Sequence, residues 1–195
     1  VGCGGYPSIL PALAALTLRR ARPLLVLHDQ NALLGRANRL LAPRADALAL
    51  TYAETGKVPE GAKPCVVGNP VRPALAALTG APYEAPTEGA IRLLVIGGSL
   101  GARVFGDAVP AAIAALPAAL RQRLIVTQQC RAEDLERVRA AYAGTGIPVE
   151  LSPFFTDIPR RLATAHLVVA RAGASTLAEL ACAGRPSVLV PLPSA

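Results

Sequence analysis

Four short stretches carry residue types whose spacing could do chemistry. The first is RAGASTLAEL, residues 171–180, in which five of the first six positions after the apolar AHLVVA are small or polar. Strand, thin turn and helix start follow one another there, and Glu179 stands within the first turns of the helix. A helix N-terminus presents N–H donors and a partial positive charge, so such a turn can hold an anion while Glu179 accepts from a pair of sugar hydroxyls. Ser175 or Thr176 acting as an ordinary N-cap would also account for the pattern. The second stretch is VIGGSLGARVF, residues 95–105, again a strand end opening into a helix. Its glycines let the backbone approach a ligand, and Ser99 adds a hydroxyl, although a glycine-rich βα turn can be no more than a tight connection. The third is VVGNPVRP, where Arg72 lies between Pro70 and Pro73. The prolines stiffen the backbone around a guanidinium suited to clamping phosphate or to lying in a surface turn. The fourth is LHDQN, a polar run of His28, Asp29, Gln30 and Asn31 straight after an apolar strand. Strand carboxyl ends are where open α/β sheets place ligands, while Asp29 could also cap the next helix. The two histidines stand 138 positions apart and no cysteine has a partner at metal spacing, so we expect no metal site. No Ser-His-Asp arrangement is visible.

These stretches need elements to hold them. From residue 91 onward strand and helix alternate five times: IRLLVIGG, RLIVTQQ, IPVELSPF, HLVVA and RPSVLVPL read as strands, with helices between them. That pattern predicts a parallel sheet covered on both faces. The first half predicts a helix over 9–21, strands over 22–28, 46–51 and 63–68, and a helix over 33–45. LTGAPYEAPTEGA, residues 78–90, has the composition of a linker. We therefore expect two Rossmann-like lobes, residues 1–77 and 91–195, joined through 78–90.

Composition narrows the classes. The chain has 195 residues, 52% apolar and 17% charged, enough for a real core. Aromatics make up 4% and Trp and Met are absent, so Ala, Val, Leu and Ile must fill that core. The net charge of +7 is spread evenly and nearly all of it is Arg. It suits a solvated surface, an anionic ligand or an anionic membrane; without interleaved aromatics it argues against nucleic acid. Cys3, Cys65, Cys130 and Cys182 lie far apart and are expected as reduced, buried thiols. The uncharged run at residues 108–120, AVPAAIAALPAAL, is too short to cross a bilayer and fits a core-facing helix. With no Met, an opening on VGCGGYPS and a close on VLVPLPSA, the chain reads as an internal part of a longer protein.

GGYPS, HDQN with ANRLLA, VVGNPVR, GGSLGA, RAGASTLAEL and GRPSVLVPLP occur in the order and spacing of the MurG family, which the chain resembles over almost its whole length. The resemblance implies a GT-B type fold of two lobes with parallel sheets. It implies transfer of GlcNAc from UDP-GlcNAc to the MurNAc C4 hydroxyl of undecaprenyl-linked lipid I, giving lipid II with inversion and without cofactor or metal. It places Ser99 and Arg72 on the diphosphate, and backbone donors of Ala174, Ser175 and Thr176 on diphosphate and sugar. Glu179 would hold the ribose, the Phe155 backbone would read uracil, and Asn31 would touch the donor sugar or the acceptor. Asp29 stands where relatives commonly have Glu, and Phe155 where they are often aliphatic. The His suspected as general base belongs to an N-terminal loop outside this chain, so no catalytic residue is assigned and the isolated piece is expected to be inactive.

The resemblance further implies peripheral attachment to the cytoplasmic face of the inner membrane, with cell-wall synthesis proteins as further partners. ILPALAALTLRRARP would contribute Leu10, Leu13, Leu16 and Leu18 beside Arg19, Arg20 and Arg22 to an apolar, basic-rimmed patch. An ordinary core helix would also fit these residues. A UDP-GlcNAc 2-epimerase and a lobe that binds UDP-sugar without transfer are the alternative functions.

Overall fold

The computed structural model describes residues 1–18, 22–98 and 102–192. It forms two compact units, Val1–Pro70 and Val71–Ala195.

The first unit holds helix α1 (Ile9–Thr17), strand β1 (Val26–Asp29), helix α2 (Arg36–Leu41) and strands β2 (Ala47–Leu50) and β3 (Pro64–Val66). The strands form a parallel sheet in the order β1-β2-β3, with Val26 opposite Ala47 and Leu50 opposite Val66. Leu27, Leu34, Leu41 and Leu48 are the centre of its core. Helix α1 is shorter than expected. It stops at Thr17, whose hydroxyl donates to the Ala14 carbonyl, and Leu18 turns to extended backbone; residues 19–21 lie outside the described residues. Helix α2 is shorter too, because Pro43 has no N–H to return to Arg39, and the chain tightens into a 3-10 turn at Ala42–Arg44. The strand expected from residue 22 begins at Val26. Ahead of it Arg22 bonds Asp46 at 2.5 Å and the Leu25 N–H donates to the same carboxylate at 2.7 Å. These contacts hold the Asp46 carboxyl below its ordinary value, the backbone hydrogen bond first and Arg22 after it.

The second unit runs α3 (Pro73–Ala76), β4 (Ile91–Ile96), α4 (Arg103–Ala114), α5 (Ala118–Arg121), β5 (Leu124–Gln129), α6 (Leu135–Ala143), β6 (Val149–Ser152), α7 (Ile158–Thr164), β7 (Leu167–Arg171), α8 (Ala174–Ala183) and β8 (Ser187–Val190). All five strands are parallel, in the order β6-β5-β4-β7-β8. Central strand β4 sends Leu93 and Val95 to one core with Phe105, Val126 and Val138, and Leu94 and Ile96 to another with Leu75, Leu162 and Leu180. Burial on both faces is why it reads as an unbroken apolar run. Helices α4 and α6 pack closely at Gly106, where a Cβ would stand 2.7 Å from Val138 Cγ2. Helix α8 ends at Gly184, in the left-handed region with φ 60°, a conformation that favours glycine.

The division between units falls earlier than the 78–90 segment. Leu75 is fully buried in the second unit's core, so residues 71–77 stand with that unit rather than with the first. The 78–90 segment is fastened to the second unit as well. Tyr83 donates to the His166 carbonyl, Arg123 to the carbonyls of Gly89 and Pro86, and Arg185 to that of Pro82. Its Pro and Gly content reflects irregular backbone rather than freedom.

The thiols also depart from expectation. Cys130 is buried, but Cys3 and Cys65 are exposed and Cys182 is intermediate. Cys65 lies on β3, all three of whose residues are exposed.

Candidate functional site

The carboxyl ends of β4, β5 and β6 and the start of α8 surround a cavity of about 160 Å³. Arg72 and Glu179 stand on its rim, Ile96 and Ile158 give it an apolar wall, and Gly98, Gln129, Phe154, Phe155 and Thr176 complete it. Arg72, Phe155, Thr176 and Glu179, four of the residues singled out from the sequence, are therefore brought together. Ala174 and Ser175 open the helix that carries Thr176. Ser99 lies outside the described residues. Asn31 is in the first unit and is treated with its neighbours below.

Helix α8 starts one residue earlier than Ser175, and its N-cap is Gly173, with no side-chain cap hydrogen bond. The capping roles considered for Ser175 and Thr176 are thus not taken up. A helix N-terminus beside a cavity favours a negatively charged occupant. Glu179 lies more than a turn further along and is 21% exposed; its Oε1 accepts from Arg72 Nη2 at 3.2 Å, with Arg72 56% exposed. An ion pair this open contributes roughly 1 kcal/mol or less to stability. Both partners can therefore be reassigned to a ligand at small cost, the guanidinium to an anion and the carboxylate to hydroxyl donors.

Phe155 is buried, and Arg161 lies over its ring, 4.1 Å from the centroid. Arg161 is itself held by Glu150 at 2.5 and 2.8 Å and by Asp157 at 2.7 Å. The Arg161 hydrogen bond keeps the Asp157 carboxyl below its ordinary value. Ser152 donates its hydroxyl to the Phe154 carbonyl at 2.8 Å, which curls the chain just before Phe155. The loop after β6 therefore has a fixed backbone, as recognition through backbone groups requires.

Gln129 was not singled out from the sequence. A signal was present: a QQ pair closes the apolar strand RLIVTQQ, the same polar-after-apolar cue that drew attention to HDQN.

A larger cavity, about 320 Å³, lies between α7 and the earlier residues of β4 and β5, lined by Arg92, Thr127, Asp157, Arg160 and Arg161 among others. It is away from the strand carboxyl ends and from the glycine turn, and Arg161 is already committed to two carboxylates. Size alone therefore does not locate the chemistry. Among the described residues no three His, Cys, Asp or Glu side chains gather as a metal site.

In the first unit the HDQN run turns inward. Asp29, 3% exposed, accepts from Asn31 N at 3.0 Å, Asn31 Nδ2 at 3.4 Å, Gly35 N at 2.9 Å and Asn38 Nδ2 at 3.0 Å. Asp29 does not cap α2 directly, because the N-cap is Gly35; it binds the residue that does. His28 is buried, and its Nε2 lies 3.1 Å from the Gly68 carbonyl, so Nε2 carries the proton and donates. Asn31 itself is exposed, held at its backbone and its amide by Asp29.

Residues 92–195, just over half the chain, match the family described as "Glycosyltransferase family 28 C-terminal domain". The chain is 62% identical over 196 aligned positions to a Granulibacter bethesdensis protein named UDP-N-acetylglucosamine--N-acetylmuramyl-(pentapeptide) pyrophosphoryl-undecaprenol N-acetylglucosamine transferase, covering all of this chain and 51% of that protein. It is 56% identical to the protein of the same name from Acidiphilium cryptum, covering 98% of this chain and 52% of that one. The crystal structure of Acinetobacter baumannii MurG superposes with a TM-score of 0.75 at 30% identity, over all of this chain and 52% of that chain. The fold is accordingly of GT-B type, built from parallel-sheet units. The chain spans about half the length of the curated relatives it matches.

Proposed function

The chain belongs to glycosyltransferase family 28, in its MurG branch, and on that premise we propose that its second unit is the UDP-GlcNAc-binding part of a transferase acting on lipid I. The reaction moves GlcNAc from UDP-GlcNAc to the C4 hydroxyl of undecaprenyl-pyrophosphoryl-MurNAc-peptide, inverts the anomeric carbon and yields lipid II for peptidoglycan synthesis. The observation that carries the reading is the open Arg72–Glu179 pair at 3.2 Å beside the start of α8. Glu179 accepts from the ribose hydroxyls. Arg72 turns to the diphosphate, where Ser99 adds a hydroxyl and the first turn of α8, Ala174 to Thr176, adds its backbone. The Phe155 backbone reads uracil from a loop that Arg161 and Ser152 hold still. As the glycosidic bond breaks, negative charge grows on the departing diphosphate, and fixed N–H dipoles with a guanidinium stabilise it without reorganising. Asn31, oriented by Asp29, contacts the donor sugar or the acceptor. No general base is assigned to any residue of this chain.

Attachment to the cytoplasmic face of an anionic membrane belongs to the same proposal. Leu10, Leu13 and Leu18 are exposed on and just after α1, which supports an apolar contact. Leu16 packs partly into the core, and Arg22 is engaged by Asp46, so these two are not offered to the membrane. Arg19 and Arg20 lie outside the described residues. Among the described residues no helix is long and apolar enough to cross a membrane.

The test is calorimetric titration with UDP-GlcNAc, with and without a chelator, followed by a transfer assay with lipid I in the full-length protein. Metal-independent binding together with transfer supports the reading. Binding without transfer identifies a UDP-sugar binder only. An obligatory divalent ion removes the donor-site chemistry proposed here.

A further inference from the structure

We propose that Gln129 is a positioning residue for the nucleotide: a buried amide that ties the glycine turn after β4 to the loop after β6 and so sets the spacing between diphosphate and base. The inference rests on the donor-site reading above and goes beyond it, because it assigns the coupling of the two half-sites to one side chain.

Gln129 is the last residue of β5, and β5 lies between β4 and β6 in the sheet. The residue is 6% exposed and forms part of the cavity wall. Oε1 accepts from the Gly97 N–H at 3.2 Å, and Nε2 donates to the Pro153 carbonyl at 3.1 Å. The first contact fixes the entry to the turn that would hold the diphosphate. There Gly98 adopts φ +81°, a conformation costly for a residue with a Cβ. The second contact fixes the loop whose next residues, Phe154 and Phe155, would meet the base. The amide cannot be turned over: an N–H faces one end and a C=O the other, so the oxygen must point to Gly97 and the nitrogen to Pro153.

Few residues could replace it. A carboxylate would accept from Gly97 but would face the Pro153 carbonyl with a second oxygen. A leucine or methionine would fill the volume and leave both backbone groups unbonded. Loss of the bridge should leave the sheet standing, since the β5 backbone is paired on both sides. What it should change is how accurately base and diphosphate are held relative to each other. That predicts an effect on nucleotide affinity and on base discrimination, which a residue with only a packing role would not produce.

The test is calorimetry of UDP and CDP with the full-length wild-type protein, Gln129→Met and Gln129→Glu, each with a thermal melt. The expected result is a Gln129→Met protein that melts close to wild type, binds UDP about tenfold or more weakly, and loses most of its preference for UDP over CDP. Gln129→Glu should be equally weak at about pH 8 and recover relative to wild type toward about pH 5. Once protonated, its carboxyl offers one accepting oxygen and one donating hydroxyl in the places of the amide. The inference is overturned if Gln129→Met keeps wild-type affinity and preference. It is also overturned if Gln129→Glu shows no recovery on acidification, or if both variants lose stability with base preference intact. Should the wild-type protein bind no UDP, the donor-site reading falls and takes this inference with it. If wild type binds and Gln129→Met matches it, this inference alone falls.

Discussion

Asp29, the last residue of β1, and Glu179, in the second turn of the helix that follows β7, are carboxylates of the first and second unit that are used in opposite ways. Asp29 is buried and accepts four hydrogen bonds, two from backbone N–H groups and two from side-chain amides, all within residues 31–38. Glu179 is partly exposed and bonds Arg72, more than half of which is open to solvent. The first carboxylate is spent on its own loop; the second is held in reserve. A polar residue after an apolar strand therefore marks a place where chemistry could be, and the count of internal partners separates scaffold from site.

The largest expected effect tests the scaffold side of this contrast. Asp29→Ala leaves the buried Asn38 amide and the half-buried Gly35 N–H short of a partner and releases the exposed Asn31. At roughly 1–3 kcal/mol for each buried group left unsatisfied, the first unit should lose about 3 kcal/mol or more. Urea unfolding followed by circular dichroism measures this, and a loss under about 1 kcal/mol would place Asp29 beside Glu179 as an uncommitted group. Next in size is Glu179→Ala, which should weaken UDP-GlcNAc binding by ~1.5–3 kcal/mol, about ten- to a hundredfold, through lost charge-assisted hydrogen bonds. Its effect on unfolding should stay within about 1 kcal/mol, because the Arg72 pair is exposed. Calorimetry and urea melts on the same variant decide it; intact donor binding with a large stability loss would reverse the contrast.

The smallest effect concerns the 78–90 segment. His166 Nδ1 accepts from the Arg92 N–H at 3.0 Å, and the His166 carbonyl accepts from Tyr83. Burial, then Arg92 and Arg185, hold the His166 ring below its ordinary value of 6.5. Above 6.5 the ring is neutral in folded and unfolded chains alike, and its contribution to stability is complete. As pH falls through 6.5 the unfolded chain takes up the proton first, so stability declines until the folded value is passed. His166→Asn should flatten the fall in stability between about pH 7 and pH 5.5, read from urea melts across that range. An unchanged slope would assign the fall to other groups.

Much of the fold was legible. Strands buried on both faces read as apolar runs, as in IRLLVI and HLVVA, and Gly184 marked the end of α8 because a left-handed residue there favours glycine. The errors were local too. Nothing in PALA announces that Leu75 is fully buried beside Leu94 and Leu162, which is why the boundary between the units is not visible in the sequence. The apolar pattern of LLGRANRLLAPRA continues through Pro43, but the missing N–H there ends the regular bonding of α2. Arg72 and Glu179 were each picked out, but their contact spans 107 residues and no sequence period encodes it.

The sequence by itself determined the alternation of strands and helices, the thin glycine and small-residue turns, and the polar residues that close the strands, because each depends on neighbours a few positions away. Tertiary structure alone decided the strand order β6-β5-β4-β7-β8 and, with it, which closing residues share a cavity. It also decided that Asp29 would be consumed by its own loop while Gln129 reaches two others. Those outcomes follow from packing and hydrogen bonding between segments far apart in the chain, where a residue's type states what it can bond and only the fold states what it meets.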